Sequence, residues 1–185
     1  MNIRGKHVLL RAIERADLAL LNQWANDPEL QRMLGGWHFP TSLQDQEAWF
    51  SALSCNSLNQ RFAIEADGLG LIGTANLVSI DWKNRNAFHG MLLGEKKVRG
   101  KGYGVDTIMA LMRYAFDDLG LHRLDTDIIE YNEPSLKVYV DKCGWIEEGR
   151  KADWYFRNAR YWQKVVLGIT RERYLQIVDS SGYWR

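Results

Sequence analysis

The amino-acid sequence predicts an α/β (α+β) fold, in which a mixed, mostly antiparallel sheet of six to seven strands is flanked by about four helices. The first observation is a hairpin signal, because the strand-like runs 61–65 and 71–80 are separated by the turn-forming pair Asp67-Gly68. The second is a helical pattern over 105–119, where apolar residues recur at i, i+3 and i+4. The third is an alternating run over 123–129. Strand patterns therefore lie on both sides of a central helix.

The residues before the hairpin predict one strand and two helices. The strand covers residues 7–11, and Asp17 can cap the helix that follows it, which Pro28 breaks. A second helix is predicted from about residue 42 to residue 53. After the hairpin, a third strand-like run covers 87–93. The sheet is therefore expected to be antiparallel through its first half.

The residues after the central helix predict one more helix and two more strands. Gly120 ends the central helix as a C-cap, and Pro134 lies in the first turn of a helix that reaches about Cys143. Strands over 145–151 and 161–169 complete the order β-α-α-β-β-β-α-β-α-β-β. No repeat or linker interrupts this order, so we expect a single domain over residues 1–185.

The composition excludes several classes of function. The chain carries 24 Lys plus Arg against 23 Asp plus Glu, a balance that argues against nucleic-acid binding. Its two cysteines form no disulfide framework and match no zinc spacing, so we expect no metal site. No apolar run reaches the roughly 20 residues of a membrane helix, and the N-terminus lacks an apolar signal core. We therefore expect a cytoplasmic protein that does not contact a membrane.

The run from Val98 to Gly104 is the most informative motif, because its three alternate glycines follow a predicted strand and open a helix. Glycines leave the backbone open to a ligand, and the first amides of a helix point at the same place. A Walker loop needs Gly-x4-Gly-Lys-Ser/Thr, and Gly102 stands where the hydroxyl residue should be. A dinucleotide fingerprint that begins at Gly100 would need a glycine in place of Val105. The run therefore predicts a phosphate site of another kind.

The remaining pattern is Arg-x-x-Gly-x-Gly, and it resembles the pyrophosphate loop of the GCN5-related N-acetyltransferases, the GNAT superfamily. The predicted order of elements is similar to the GNAT fold over nearly the whole chain. Within the superfamily the chain resembles the RimJ/RimL-type branch, on the motifs Asn132-x-x-Ser135-x-x-x-Tyr139, Lys142-Cys-Gly-Trp145 and Glu147-Glu-Gly149. It departs from the branch at Trp145, which replaces the usual Phe, and at residues 157–160, which replace a Gly-containing turn on the acceptor side.

The resemblance implies that acetyl-coenzyme A (acetyl-CoA) is the donor, that an amine is the acceptor, and that the acetyl group passes directly between them. It also implies that the strand before the glycine loop splays from its neighbour, so that the pantetheine arm inserts between the two strands. The cofactor-binding residues implied in this way are Leu92, Leu93, Gly94, Val98, Arg99, Gly100, Lys101, Gly102, Tyr103, Gly104, Asn132, Ser135 and Lys142.

The resemblance also assigns the chemistry to three side chains. Tyr139 lies two helical turns after Asn132, so Asn132 can hold the pantetheine while Tyr139 reaches the sulfur as the general acid. Ser135, one turn from Tyr139, is the rival proton donor or a cofactor ligand. His89 stands where related enzymes often carry a glutamate that removes the amine proton, directly or through water. An ordinary histidine pKa of about 6.5 suits such a base.

The acceptor site is expected between the loop that joins the first two helices and the turn that joins the last two strands. The candidates for its aromatic walls are Trp37, Phe39, Trp82, Trp154 and Tyr155. The leading hypothesis is transfer to a small primary amine, such as a polyamine, an amino sugar or an amino-acid-like compound. The alternatives are a protein N-terminal amine and a sensor that holds a coenzyme A species without turnover. Dimers are common in the branch, so a homodimer is a further expectation.

Overall fold

The computed structural model describes residues 1–36 and 39–185, and a single sheet lies at its centre. Within these ranges the sheet has eight strands in the order β1-β2-β3-β4-β5-β6-β8-β7. The strands are β1 (Ile3–Arg4), β2 (Val8–Arg11), β3 (Gln60–Ala66), β4 (Gly70–Asp81), β5 (Asn86–Leu93), β6 (Arg123–Ile129), β7 (Ile146–Arg157) and β8 (Arg160–Thr170). Every neighbouring pair is antiparallel except β5 and β6. The mixed, mostly antiparallel sheet is confirmed, with the two-residue β1 as the extra strand.

Six α-helices accompany the sheet in the described ranges, where the sequence predicts four. They are α1 (Leu18–Ala25), α2 (Pro28–Met33), α3 (Leu43–Ser51), α4 (Tyr103–Arg113), α5 (Glu133–Lys137) and α6 (Arg171–Ser181). Helices α4 and α5 continue into π-helical turns, Tyr114–Asp118 and Val138–Lys142, and short 3-10 turns cover Arg15–Asp17 and Lys96–Val98. The two additional helices are α2 and α6.

Helix α2 begins at the proline that the sequence pattern suggests as a break. Pro28 takes the first helical position, where its missing N–H removes no intrahelical bond. The Asp27 carboxylate accepts hydrogen bonds from the N–H groups of Glu29 and Leu30, at 2.8 and 3.2 Å, and so caps the new helix. The chain therefore turns and starts a second short helix, which carries residues 32–36 to the middle of the sheet.

The helices divide the apolar core into two clusters. The larger cluster includes side chains of α4, its π-helical turn and α6 packed on the sheet, among them Ile108, Phe116 and Tyr174. The smaller cluster joins α1 to the sheet through Trp24 and Ala63, with partly buried side chains of α3 beside them. Because successive residues of a strand point to opposite faces, β3, β4 and β5 contribute side chains to both clusters.

The sheet splits between its two parallel strands. Strand β5 pairs with β6 only over residues 86–88, which face residues 123–125. Beyond that point β5 stays paired with β4 up to Leu93, and β6 stays paired with β8 up to Ile129. The gap that opens after Phe88 and Asp125 is the splay that the family resemblance implies.

Candidate active site

A cavity of about 550 Å³ lies at the gap between β5 and β6. Its lining comes from residues 33–36 at the end of α2 and after it, from Arg61, Thr74, Asn76, Phe88 and 90–92 on β3 to β5, from 126–129 on β6, from Asn132, Ser135 and Tyr139 at the cap of α5, on α5 and on its π-helical turn, and from Trp154, Tyr155 and Lys164 on β7 and β8. A second cavity, of about 300 Å³, adjoins it on the side of α1 and α3 and shares Arg61 and Asn76 with it. The cavity therefore joins the predicted catalytic helix to the predicted acceptor strands.

Strand β5 turns its backbone groups towards the gap at alternate residues. The Gly94 amide donates to the Ile72 carbonyl of β4 at 3.0 Å, and Leu92 holds the same position in this ladder two residues earlier. Residues two apart in an antiparallel ladder point the same way, so Leu92 and Gly94 face β4 while Met91 and Leu93 face the gap. The backbone contact expected of Leu92 and Gly94 is therefore corrected to Met91, and Leu93 keeps its place as a candidate.

Gly94 has a packing role. A Cβ atom at this position would lie 2.1 Å from Cδ2 of the Trp24 indole. Only a residue without a side chain lets α1 approach the end of β5 this closely, since the atoms there are close-packed. Gly94 thus positions α1 beside the strand that borders the gap.

The glycine loop leads from β5 into α4 as the sequence predicts. Gly100 and Gly102 have φ angles of 74° and 88°, and a Cβ atom at either would meet nothing within 4 Å. The first amides of α4, which begins at Tyr103 and Gly104, have no acceptor within the helix. Val98, only 1% exposed, anchors the loop in the core. The open backbone and the free amides fit a pyrophosphate group.

The cations of the loop differ in their partners. Arg99 Nη1 lies 3.1 Å from Glu29 Oε1, and Lys96 Nζ lies 2.6 Å from Oε2 of the same carboxylate. Because Glu29 belongs to α2, these pairs fasten the loop to that helix. Lys101 is exposed and forms no ion pair with a described residue, so its charge remains available to an anion at the loop.

Tyr139 reaches the gap from the helix that follows β6. Asn132 caps α5, since its Oδ1 accepts a hydrogen bond from the Ser135 N–H at 3.3 Å, and Ser135 and Tyr139 line the cavity one turn apart. Tyr139 is 4% exposed, and its burial raises the pKa of the hydroxyl above the usual value. A hydrogen bond with the Thr126 side chain offsets part of that effect. The phenol is therefore protonated in the folded chain.

His89 lies on the opposite face of β5 from Phe88 and does not line the cavity. Its ring is fully buried, 5.7 Å from the ring of Tyr139 and 5.9 Å from that of Trp145, and Nδ1 lies 3.1 Å from the Asn76 carbonyl oxygen. Burial lowers the pKa of His89 to about 4, although the Asn76 carbonyl opposes the shift. The aromatic packing separates the ring from the acceptor side, so we assign no base role to His89.

A polar cluster of Asp127, Tyr155 and Lys164 borders the acceptor side of the gap. The Tyr155 hydroxyl donates to Asp127 Oδ1 at 2.6 Å, and Lys164 Nζ lies 2.8 Å from Oδ2. Trp154, 51% exposed, lies beside it, with Lys164 Nζ 4.6 Å from its ring centroid. The sequence predicts Trp154 and Tyr155 as site residues but not Asp127 or Lys164. Lys164 of β8 pairs with Ile129 of β6, and Asp127 lies two residues from Ile129 on the same face, so the two side chains meet.

The last residues of α2 and the segment that follows it close over this polar cluster. The carbonyls of residues 32–34 accept hydrogen bonds from the side chains of Tyr131, Asn132 and Arg157, the last two at 3.1 and 3.4 Å. A Cβ atom at Gly35 would lie 2.7 Å from the hydroxyl of the tyrosine in the cluster. The segment is thus held at three successive peptide groups and forms a roof over the acceptor side. The Asn132 amide therefore accepts a hydrogen bond at Oδ1 from the Ser135 N–H and donates one from Nδ2 to the Met33 carbonyl.

Of four other predicted site residues, three lie away from the cavity and one lies outside the described residues. Trp82 is in the turn before β5, at the opposite end of that strand from the gap. Phe39 is 65% exposed and lines a separate cleft of about 260 Å³. Lys142 is exposed at the end of the π-helical turn and lines none of the three cavities. Trp37 lies outside the described residues.

Within residues 1–36 and 39–185, no group of three or more His, Cys, Asp or Glu side chains could hold a metal ion. Among the helices described, none has the length and apolar character needed to cross a membrane.

Known proteins resemble this chain over most of its length. The acetyltransferase (GNAT) domain family matches residues 7–146. The SPbeta prophage-derived N-acetyltransferase YokL of Bacillus subtilis is 26% identical over 92% of this chain and 93% of its own length. A spermidine N(1)-acetyltransferase of Vibrio cholerae is 26% identical over 92% of this chain and 97% of its own. The crystal structure of a spermidine N-acetyltransferase from Vibrio cholerae with CoA and spermine superposes with a TM-score of 0.84 at 25% identity, covering 92% and 99% of the two chains.

The family match agrees with the geometry of the site. The split between β5 and β6, the open glycine loop and the tyrosine at the gap form one continuous arrangement. The finer assignment to the RimJ/RimL-type branch stays a prediction. The chain belongs to the GNAT acetyltransferase family and is an acetyl-CoA-dependent N-acetyltransferase.

Proposed function

We propose that the chain transfers the acetyl group of acetyl-CoA directly to a primary amine of a small molecule. The observation that carries this proposal is the roofed cavity at the gap, because the segment of residues 32–36 and the β7–β8 strands enclose its acceptor side. Partly apolar cavities of this size, with a few polar groups in their lining, suit small ligands. The Vibrio cholerae relative is named for the acetylation of spermidine, which is a small amine.

The donor would be held by backbone groups along the gap and the loop. Met91 and Leu93 direct backbone groups to the gap, and the loop from Gly100 to Gly104 offers amides and the Lys101 charge to a pyrophosphate. When bound, acetyl-CoA supplies a thioester acetyl group, and its transfer forms a C–N bond, breaks a C–S bond and requires a proton for the departing sulfur. The protein supplies orientation and that proton.

Tyr139 is the proposed proton donor. Its hydroxyl is neutral, buried and at the gap, where it can give a proton to the departing sulfur. Ser135 is the rival donor, since it lines the same cavity one turn earlier. The low exposure of Tyr139 favours it, because a proton donated in a water-poor site goes to the reacting atom rather than to solvent.

The amine is proposed to lie against Asp127. This is the carboxylate that lines the described cavity, and Tyr155 and Lys164 hold its two oxygens in place. Each oxygen can still accept a further hydrogen bond, so the carboxylate can orient an N–H of the acceptor. Tyr155 and Lys164 already engage the two oxygens of Asp127, and we therefore expect the surplus proton of the acceptor to leave to water.

A panel of acceptors tests this function. Release of the free coenzyme A thiol is measured with acetyl-CoA and polyamines, amino sugars, amino acids or short peptides at equal amine concentration. Turnover of a small amine, abolished or strongly reduced in Tyr139→Phe, supports the proposal. Turnover of peptides alone favours a protein N-terminus, an alternative suggested by a putative ribosomal N-acetyltransferase of Bacillus subtilis that is 26% identical over 92% of this chain. Binding of acetyl-CoA without any turnover favours a sensor.

A cytoplasmic location and a homodimer stay expectations from the sequence and the resemblance. The oligomeric state is accessible to light scattering coupled to size-exclusion chromatography. A single species of twice the 21.5 kDa chain mass would support the dimer.

A further inference from the structure

The described lining of the acceptor side carries more positive than negative charge. Across the two adjoining cavities the cations are Arg61 and Lys164, and the anion is Asp127. Lys164 and Asp127 are paired with each other, 2.8 Å apart. Arg61, an exposed residue of β3, is therefore the charged residue of this lining that forms no ion pair with a described residue. A polyamine, which brings two or more positive charges, would meet a single carboxylate that is already paired.

Arg61 is placed where it can receive a ligand group. It belongs to β3, lines both cavities, and makes no side-chain hydrogen bond or ion pair with another described residue. An arginine without a carboxylate partner leaves a planar set of N–H donors that suits a carboxylate or another oxyanion. The guanidinium thus has the chemistry of an anion anchor at the junction of the cavities.

The strand register sets the direction from Arg61 to the reaction centre. Arg61 pairs with Asn76 of β4, and Asn76 pairs with Gly90 of β5, which borders the gap. These three residues form one row across the sheet, about 10 Å long at the usual strand spacing. The Asn76 side chain lies over Gly90, since a Cβ atom there would be 2.9 Å from its Nδ2, and its Oδ1 has no donor among the described residues. Polar groups therefore lead from the gap to Arg61.

We propose that the acceptor of this enzyme is an amine that also carries a carboxylate or similar oxyanion, with Arg61 as the residue that binds the anionic group. The inference rests on the proposed function and narrows its substrate class to amino-acid-like compounds in which several bonds separate the amine from the anionic group, because Arg61 lies about 10 Å from Gly90 across the sheet. The amine lies at Asp127 and Tyr139, on the β6 side of the cavity, and the anionic group lies on the β3 side. The reaction converts the ammonium end to a neutral amide and leaves the anionic group unchanged.

Matched acceptor pairs test this inference. Steady-state kinetics are measured for amino acids and for their carboxamides and decarboxylated amines, in the wild type, in Arg61→Gln and in Lys83→Gln. Lys83 is an exposed cation in the turn before β5, at the end of that strand away from the gap, so its variant controls for the lost charge. We expect a lower KM for the acids than for their uncharged partners. In Arg61→Gln the KM for the acids should rise about tenfold to a hundredfold, with kcat and the uncharged amines nearly unchanged.

The outcomes separate this inference from the function on which it rests. If amines are acetylated but acids have no advantage, or if Arg61→Gln affects acids and uncharged amines equally, the substrate class is overturned and the acetyl transfer stands. A preference for polyamines that is kept in Arg61→Gln would likewise overturn the substrate class and leave the acetyl transfer standing. If no small amine is acetylated by the wild type although acetyl-CoA raises its melting temperature, the small-molecule function fails and the inference fails with it.

Discussion

The Tyr155 hydroxyl donates a 2.6 Å hydrogen bond to Oδ1 of Asp127 and so joins β7 to the strand that forms one wall of the gap. Burial raises the pKa of this phenol, and the neighbouring carboxylate adds to the effect, so the hydroxyl stays protonated as a donor. The same hydroxyl lies under Gly35 of the roof. The Tyr155 phenol therefore links the roof, the β7 strand and the Asp127 carboxylate.

Tyr155→Phe should weaken acceptor binding and leave donor binding intact. The substitution removes one hydrogen bond to a carboxylate, worth about 1.5–3 kcal/mol, and leaves Asp127 oriented by Lys164 alone. We expect the KM for the acceptor to rise about tenfold, while the Kd of coenzyme A measured by calorimetry stays within about twofold of the wild type. A changed Kd for coenzyme A with an unchanged KM for the amine would place Tyr155 on the donor side.

Tyr139→Phe should lower kcat by about a hundredfold or more, the usual contribution of a general acid. The ring and its packing against Trp145, with centroids 5.1 Å apart, are kept, so folding and coenzyme A affinity should change little. Stopped assays at saturating substrates measure kcat, and Ser135→Ala is the matched control, since that residue lines the same cavity. A large loss in Ser135→Ala together with an active Tyr139→Phe would transfer the proton-donor role to Ser135.

His89 should affect stability in acid rather than the pH dependence of turnover. Its folded-state pKa is about 4, below the ordinary value of about 6.5, so between these values the unfolded chain binds a proton that the folded chain excludes. Stability is therefore full above about pH 6.5 and decreases by about 3 kcal/mol as the pH falls to about 4. The difference in unfolding free energy between these pH values, measured by urea titration, should shrink in His89→Gln and persist in His122→Gln, which alters an exposed histidine. An equal slope in wild type and His89→Gln would show that folding does not lower the pKa of His89.

Gly94→Ala should destabilise the fold through a collision with Trp24. The new Cβ would lie 2.1 Å from the indole, so α1 or the end of β5 must shift, at a cost of about 1–3 kcal/mol. Gly149→Ala is the control, because a Cβ atom there meets nothing within 4 Å, and its effect should stay within about 0.5 kcal/mol. Equal melting temperatures for the two variants would refute the packing role of Gly94.

Local patterns in the sequence suffice to locate the glycine loop and the helix that carries Tyr139. The loop around Gly102 can be predicted because three alternate glycines precede a helix. The cap at Asn132 marks the start of the helix that carries Tyr139. The sheet follows from strand patterns and one hairpin signal. The two-residue β1 is too short to leave a pattern.

The acceptor side depends on register, which a sequence pattern does not reveal. Asp127 and Lys164 meet only because β6 and β8 pair in one particular alignment. Arg61 lies in line with the gap because the register of β3, β4 and β5 places Arg61, Asn76 and Gly90 in one row across the sheet. The burial of His89 follows from which face of β5 it occupies, and one residue of difference in register would reverse that face.

The most direct measurement is mass spectrometry of the products formed from acetyl-CoA and a small amino-acid-like amine, with the coenzyme A thiol counted in the same reaction. One acetylated amine per thiol released, with both products reduced together in Tyr139→Phe, is the expected result. Thiol release without an acetylated amine, or an acetylated amine that forms equally well with Tyr139→Phe, would contradict direct transfer at the gap between β5 and β6.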